Sequence, residues 1–179
     1  MIAREDIVPI HLSDSDMAVI KQVAEKAELG GYSNLRSPVD RMNHLSEDQL
    51  VGFSGEYALS LYWCGTSTMF LTHAFYSHVY GFSENKVRGD GGIDLPGTNV
   101  DIKTSKLKPG KLISDYHLWV RPREYKPNTI YVLGVMDVEK CVVYLVGWEV
   151  GARLVFTGER YEAVARNLRP MMPVRWWSV

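Results

Sequence analysis

Two apolar segments, residues 129–137 and 141–147, constrain the fold of this chain more than any other feature. They are rich in β-branched and aromatic residues, and only Val138, Glu139 and Lys140 separate them. This pattern predicts two consecutive strands joined by a turn. Neither segment is long enough to cross a bilayer, and a content of 23% charged residues is that of an ordinary globular chain. We therefore expect a soluble protein.

The length of 179 residues is enough for one sizeable core and short for two domains. We expect a single domain over 1–179, with a helical extension at 1–45, a core at 46–150, and a C-terminal helix and tail at 151–179. The first residues lack the pattern of a secretory signal, which predicts a cytoplasmic protein. The two cysteines, Cys64 and Cys141, allow no disulfide framework, and both are expected in the core.

The remaining elements follow from hydrophobic periodicity and capping residues. A helix is predicted over 14–29, capped by Ser13 or Asp14, and a second helix over 46–63. Ser46 and Gln49 form a capping-box pattern at the start of that second helix. Strands are predicted at 69–72, 93–95, 99–104, 117–120, 129–137 and 141–147. The fold class expected is α/β, with a central mixed sheet of four or five strands flanked by helices.

Two carboxylates and a lysine converge in the predicted hairpin of 93–104. Alternation along a strand places Asp101 and Lys103 on one face and Ile102 on the other, toward the core. A loop at 96–98 returns Asp94 to the side of Asp101. Adjacent carboxylates repel one another unless a cation lies between them, and such hard oxygen ligands suit Mg²⁺ or Mn²⁺. Lys103 would then orient or deprotonate an attacking water, or stabilise charge on a phosphoryl group.

A basic segment follows this hairpin. From Lys103 to Lys126, both included, there are seven basic residues and two acidic ones, Asp115 and Glu124. This is a local net charge of +5 in a chain whose overall formal charge is -1. Most charge runs are solvated loops, but this one adjoins the acidic pair. We expect contacts to a nucleic-acid backbone from five of its residues. These are Lys106, Lys108, Lys111, Arg121 and Arg123.

The order of these residues resembles the PD-(D/E)xK nuclease superfamily, which has the restriction-endonuclease-like fold. Asp94, six intervening residues and Asp101-Ile102-Lys103 match its motif, although Ile93 stands where proline is usual. Gly55-Glu56-Tyr57-Ala58 matches the helix that often supplies a further acid. The string from Arg88 to Ser105, together with Val146-Gly147-Trp148, is similar to small phage and bacterial members.

The resemblance implies a catalytic set of Glu56, Asp94, Asp101 and Lys103. Asp94, Asp101 and the Ile102 carbonyl would bind Mg²⁺ or Mn²⁺, and Glu56 would bind it directly or through water. The implied reaction is in-line hydrolysis of a phosphodiester in DNA, in a bacterial or phage-infected cell. Cutting both strands of a duplex usually takes two active sites, so the same reasoning allows a homodimer. No membrane partner is expected.

Several readings stay open. The chain is alternatively a non-cleaving nucleic-acid-binding module of the same fold, or a metal-dependent hydrolase of a small nucleotide. Asp90 is a turn residue, or it supports the metal ligands or serves as an alternative ligand. His117 is the histidine expected nearest the site. Ser105 and Thr104 contact a phosphate or simply end their strand. Trp176 and Trp177 stack on bases or close the core.

Overall fold

The computed structural model describes residues 6–29, 47–74, 94–95 and 97–171. In these ranges the chain forms three α-helices and seven strands, listed here in chain order. They are β1 (Val8–His11), α1 (Asp14–Leu29), α2 (Glu47–Cys64), α3 (Thr68–Ala74), β2 (Val100–Lys106), β3 (His117–Val120), β4 (Ile130–Asp137), β5 (Val142–Val150), β6 (Val155–Phe156) and β7 (Tyr161–Val164). The predicted loop of 32–45, the capping residue Ser46, the turn containing Asp90, and Trp176 and Trp177 lie outside the described residues.

The first helix begins as predicted at a Ser13 cap. The Asp16 backbone N–H donates to Ser13 Oγ (3.2 Å), and the Ser13 N–H donates to Asp16 Oδ2 (2.8 Å). This reciprocal arrangement satisfies backbone donors that the first helical turn leaves unpaired. The Tyr57 hydroxyl of α2 also donates to Asp16, so the cap ties the two helices together.

The strand predicted at 69–72 is wrong, because this segment belongs to helix α3. Phe70 is fully buried there, with its ring centroid 5.2 Å from that of Tyr57 and 6.3 Å from that of Phe53. Packing onto α2 therefore overrides the local preference of the segment. Cys64, at the end of α2, is exposed rather than in the core, whereas Cys141 is partly buried.

The larger sheet is mixed and has four strands in the order β1-β5-β4-β2. The strand β1 is antiparallel to β5, β5 is antiparallel to β4, and β4 is parallel to β2. The predicted number of strands is correct, but the strands that form this sheet differ from the predicted ones in two places. The lead-in to α1 supplies β1 as an edge strand, and β3 lies outside this sheet. Asp94 and Leu95 form a bend rather than the strand predicted at 93–95.

A second, three-stranded sheet has the order β3-β7-β6. It corrects the prediction of a helix after residue 150, since 151–171 holds short 3₁₀ turns and the hairpin of β6 and β7. Gly158, with a φ of 99°, lies in the turn of that hairpin, where the Thr157 N–H donates to the Arg160 carbonyl (2.9 Å). Pairing of β7 with β3 determines the conformation of this segment.

The larger sheet is covered on both faces. Helices α1 and α2 bury one face, with Ile20, Leu59, Ile102 and Val132 among the core residues. The second sheet covers the other face, where Leu118, Leu133 and Val146 meet. The result is a three-layer arrangement of helices, mixed sheet and small antiparallel sheet. No helix within the described ranges is long and apolar enough to span a membrane.

Candidate active site

A tight turn brings Asp94 back to the edge of β2. The Thr98 N–H and the Thr98 hydroxyl both donate to the Leu95 carbonyl, at 3.1 and 2.7 Å. Gly97 has a φ of 76°, a backbone conformation that is costly for residues with a Cβ. The local sequence Leu-Pro-Gly-Thr is well suited to such a turn.

Two hydrogen bonds hold Asp94 against β2. The Asp94 N–H donates to the Val100 carbonyl (3.0 Å), and the Ile102 N–H donates to Asp94 Oδ2 (2.6 Å). Among the described strands β2 is the last in its sheet, so Asp94 occupies the position of a further strand. The N–H and C=O of one strand residue point to the same side, so the Ile102 carbonyl also faces this edge.

Asp101 and Lys103 share one face of β2, as alternation requires. Lys103 Nζ lies 3.0 Å from Asp101 Oδ2, and the Asp101 side chain is only 1% exposed. Ile102 is buried on the opposite face, among residues that pack under the helices. Lys103 remains 27% exposed, so the pair joins a buried carboxylate to an ammonium that reaches solvent.

The charge of Lys103 is fixed by its neighbours. Burial alone would lower the pKa of this lysine, but the negative charges of Asp101, Asp94 and Glu124 raise it above the ordinary value. Lys103 is therefore an ammonium at neutral pH.

Glu124 is a further member of the site, and it is not predicted from the sequence. Its Oε2 lies 3.4 Å from Lys103 Nζ, although 20 residues separate the two in the chain. The buried Tyr131 holds the turn that carries it, since the Tyr131 hydroxyl donates to the Glu124 carbonyl (3.1 Å) and accepts from the Lys126 N–H (2.8 Å). Tyr131 is itself the register partner of Asp101 in the sheet.

Glu56 lies apart from this arrangement. Its helix, α2, packs on the face of the sheet that carries Thr104, with Gly55 in direct contact with the Thr104 side chain. Asp101 and Lys103 are on the other face. No group of three or more His, Cys, Asp or Glu side chains suited to a metal ion occurs in the part of the chain that is described. The structure thus brings together Asp94, Asp101 and Lys103, and does not gather Glu56 with them.

The five basic residues expected to contact nucleic acid fall into two groups. Arg121 Nη1 and Arg123 Nε lie 3.4 and 3.6 Å from Glu124 Oε1, next to Lys103. Lys106, Lys108 and Lys111 lie at the far end of β2 and beyond it. Lys106 forms an ion pair with Glu47, and the Lys111 ammonium lies 4.2 Å from the centroid of the Tyr116 ring. Only the first group adjoins the site.

His117 was expected near the site and lies elsewhere. Leu118 and Val120 of the same strand face the core, which turns His117 to the outer side of the second sheet. There its Nδ1 lies 3.6 Å from Glu162 Oε1. Thr104 also faces away from Asp101, toward Gly55, whereas Ser105 is on the same face as Asp101 by alternation.

Comparison of this chain with protein-family models, with curated proteins and with solved structures finds no match in any of the three. The geometry of the site is therefore the basis for assigning a function.

Proposed function

We propose that this chain is a metal-dependent deoxyribonuclease with a restriction-endonuclease-like fold. It would hydrolyse phosphodiester bonds in DNA by in-line attack of an activated water. The observation that carries this proposal is the Asp101–Lys103 pair, 3.0 Å apart, with Asp94 hydrogen-bonded to the intervening Ile102. Two carboxylates, a backbone carbonyl and an ammonium at one strand edge are the groups that such a reaction needs.

The oxygen donors at this edge fit Mg²⁺ or Mn²⁺. Asp94 and Asp101 would hold the cation with the Ile102 carbonyl, and Glu56, which the structure does not gather with them, would contribute through a bridging water. Mg²⁺ is commonly bound by one or two carboxylates, with waters and substrate phosphates completing the shell. When bound, the cation would polarise a phosphoryl oxygen and lower the pKa of a coordinated water.

Lys103 would act as a hydrogen-bond donor and a positive charge. Without a bound cation, the neighbouring carboxylates raise the pKa of this ammonium above its ordinary value. From its position beside Asp101 it would orient the attacking water and stabilise negative charge on the phosphoryl oxygens. Burial of Asp101 strengthens these interactions, since charges act more strongly where water is excluded.

The test is cleavage of linear, nicked, branched and single-stranded DNA by the purified chain, with Mg²⁺, with Mn²⁺ and with EDTA. We expect metal-dependent cleavage, and a loss of roughly 100-fold or more in Asp101→Ala and in Lys103→Ala with the fold retained. Calorimetric titration with Mn²⁺ provides a reading that needs no turnover. Asp101→Ala should weaken Mn²⁺ binding.

Asp137→Ala is a matched control. Asp137 is another buried carboxylate of the same sheet, paired with a lysine, Lys140, at 3.2 Å. It lies six residues along β4 from Tyr131, the partner of Asp101, which corresponds to about 20 Å. We expect Asp137→Ala to cleave DNA and to bind Mn²⁺ as the wild type does.

The remaining outcomes separate the alternatives. Cleavage in EDTA, or no cleavage of any substrate, would contradict the proposal. Tight DNA binding without cleavage would favour a non-cleaving module of the same fold, and metal-dependent turnover of a small nucleotide alone would favour a nucleotide hydrolase.

A further inference from the structure

Trp119 lies on the outer face of the second sheet, next to the candidate active site. Its neighbours Leu118 and Val120 are fully buried against the larger sheet, so alternation turns Trp119 to the opposite side. There it is opposite Glu162 in the ladder and is partly exposed to solvent. The Trp119 indole is therefore partly accessible from solvent.

Two guanidinium groups lie over the Trp119 ring. Arg121 Cζ is 5.8 Å and Arg160 Cζ is 5.7 Å from the ring centroid. Both arginine side chains are about half exposed, at 52% and 46%. Glu162 holds Arg160 at 2.9 Å. The aromatic ring is thus combined with two cations that reach solvent, which is the combination that binds an unpaired base together with its phosphates.

A short series of contacts joins Trp119 to the proposed active site. Arg121, which lies over the indole, is 3.4 Å from the Glu124 carboxylate, and the same carboxylate is 3.4 Å from Lys103 Nζ. Lys103 in turn contacts Asp101 at 3.0 Å. A DNA strand with a phosphate beside Lys103 would therefore have its neighbouring nucleotides close to Arg121 and Trp119.

We propose that Trp119, Arg121 and Arg160 form a binding site for an unpaired nucleotide. The part of the DNA substrate that crosses the second sheet would then be single-stranded. This inference rests on the proposed nuclease function for its position but not for the binding itself. In a duplex each base face is covered by its neighbours, so only an unpaired base presents a face to the indole. The two arginines would contact the flanking phosphates.

The test is fluorescence anisotropy in EDTA, where cleavage does not occur, with a labelled 12-nucleotide thymidine strand, the same backbone without bases, and a 12-base-pair duplex. The wild type should bind the thymidine strand most tightly. Trp119→Ala should weaken that binding about tenfold and leave binding of the baseless strand unchanged. Trp119→Phe should restore most of the loss. Arg121→Gln and Arg160→Gln should each reduce the dependence of affinity on salt.

Val155→Ala is the matched control, because Val155 is also opposite Glu162, is 67% exposed, and has neither a ring nor a charge. It should bind as the wild type does. Equal binding of thymidine and baseless strands by the wild type, or an unchanged affinity in Trp119→Ala, would overturn the inference. If single-stranded binding through Trp119 is found in a protein that cleaves nothing, the nuclease proposal fails and the binding site stands. If the chain cleaves DNA and Trp119→Ala binds the thymidine strand as the wild type does, the nuclease proposal stands and the Trp119 binding site fails.

Discussion

The two faces of β2 are built in different ways. The residues on one face, Ile102 and Thr104, pack under helix α2, where Gly55 contacts the Thr104 side chain. The residues on the other face, Asp101 and Lys103, form an ion pair in which the carboxylate is buried and the ammonium reaches solvent. One strand therefore contributes to both the core and the candidate site, because its successive side chains point to opposite faces of the sheet.

The difference lies in what each face tolerates. The helix face depends on close contact of uncharged atoms, where added volume has no space to occupy. The charged face depends on a balance, because removing one charge leaves another buried without compensation. Substitutions on the two faces should therefore destabilise the protein for different reasons, and experiments should distinguish the two causes.

The largest effect on stability is expected from Gly55→Ala. A Cβ at this position would lie 1.8 Å from Thr104 Oγ1, so α2 would have to move away from β2. We expect a loss of about 3 kcal/mol in the free energy of unfolding, measured by urea titration. Gly52→Ala is the control in the same helix, where a Cβ meets nothing within 4 Å. It should gain about 0.5 kcal/mol from helix propensity, and equal stability of the two variants would contradict close packing here.

Alternation along β2 could be predicted from the sequence because it depends only on local geometry. The same holds for the pairing of β4 with β5, which needs only two apolar segments and a short turn. The positions of Asp101 and Lys103 follow from that geometry. The position of Asp94 beside β2 can be predicted from the turn residues Gly97 and Thr98, because their conformational preferences are equally local.

The partners of a strand could not be predicted in this way. A four-residue segment such as β3 has the same pattern whether it joins the larger sheet or pairs with β7. Glu124 was missed for a related reason, since Tyr131 positions it through hydrogen bonds between distant parts of the chain. Glu56 was placed at the site by its order in the sequence, which does not specify the face of the sheet.

On the charged face, Lys103→Met should cost more stability than Asp101→Asn. Lys103→Met leaves Asp101 buried beside Asp94 without an ammonium, whereas Asp101→Asn leaves a partly exposed lysine that retains Glu124. Because the pair is partly solvated, we expect losses of about 2 and about 1 kcal/mol. Urea unfolding at pH 7 measures both, and the reverse order would contradict this account of the pair.

The pH dependence of that loss has a definite sign. The folded-state pKa of Lys103 is raised above its ordinary 10.5, so its stabilising charge is fully present below that pH and is lost as pH rises through the folded value. The difference between wild type and Lys103→Met should therefore stay constant from pH 7 to pH 9.

A smaller effect is expected at the turn that brings Asp94 to the strand edge. Gly97 and Gly110 have φ angles of 76° and 73°, and a Cβ at either meets nothing within 4 Å. Replacement by alanine should cost about 1 kcal/mol at both positions, through backbone strain alone. Only Gly97→Ala should also reduce DNA cleavage and Mn²⁺ binding, because that turn positions Asp94 at the edge of β2. Equal DNA cleavage and Mn²⁺ binding by the two variants would mean that Asp94 is not part of the active site.

The smallest effect is expected from the carboxylate on the helix side, Asp16. Burial alone would raise the pKa of Asp16, but hydrogen bonds from Tyr57 and Ser13 lower it below the ordinary 3.8. The stabilisation by its charge is therefore present above pH 3.8 and is lost as pH falls through the folded value. Asp16→Asn should be less stable than the wild type by under about 1 kcal/mol at pH 6, since this carboxylate is largely solvated. The difference should narrow as pH falls below 3.8.

Asp14→Asn is the control for that measurement, because Asp14 contributes charge to the same first helical turn. Both variants lose the favourable interaction of a negative charge with the helix N-terminus. Only Asp16→Asn alters the contact with Tyr57 that ties α1 to α2. A difference from the wild type that is the same for both variants at pH 6 would mean that the charge, and not the contact between the helices, accounts for the effect. In that case the helix face would be held by packing alone, in sharper contrast to the ion pair on the other side of β2.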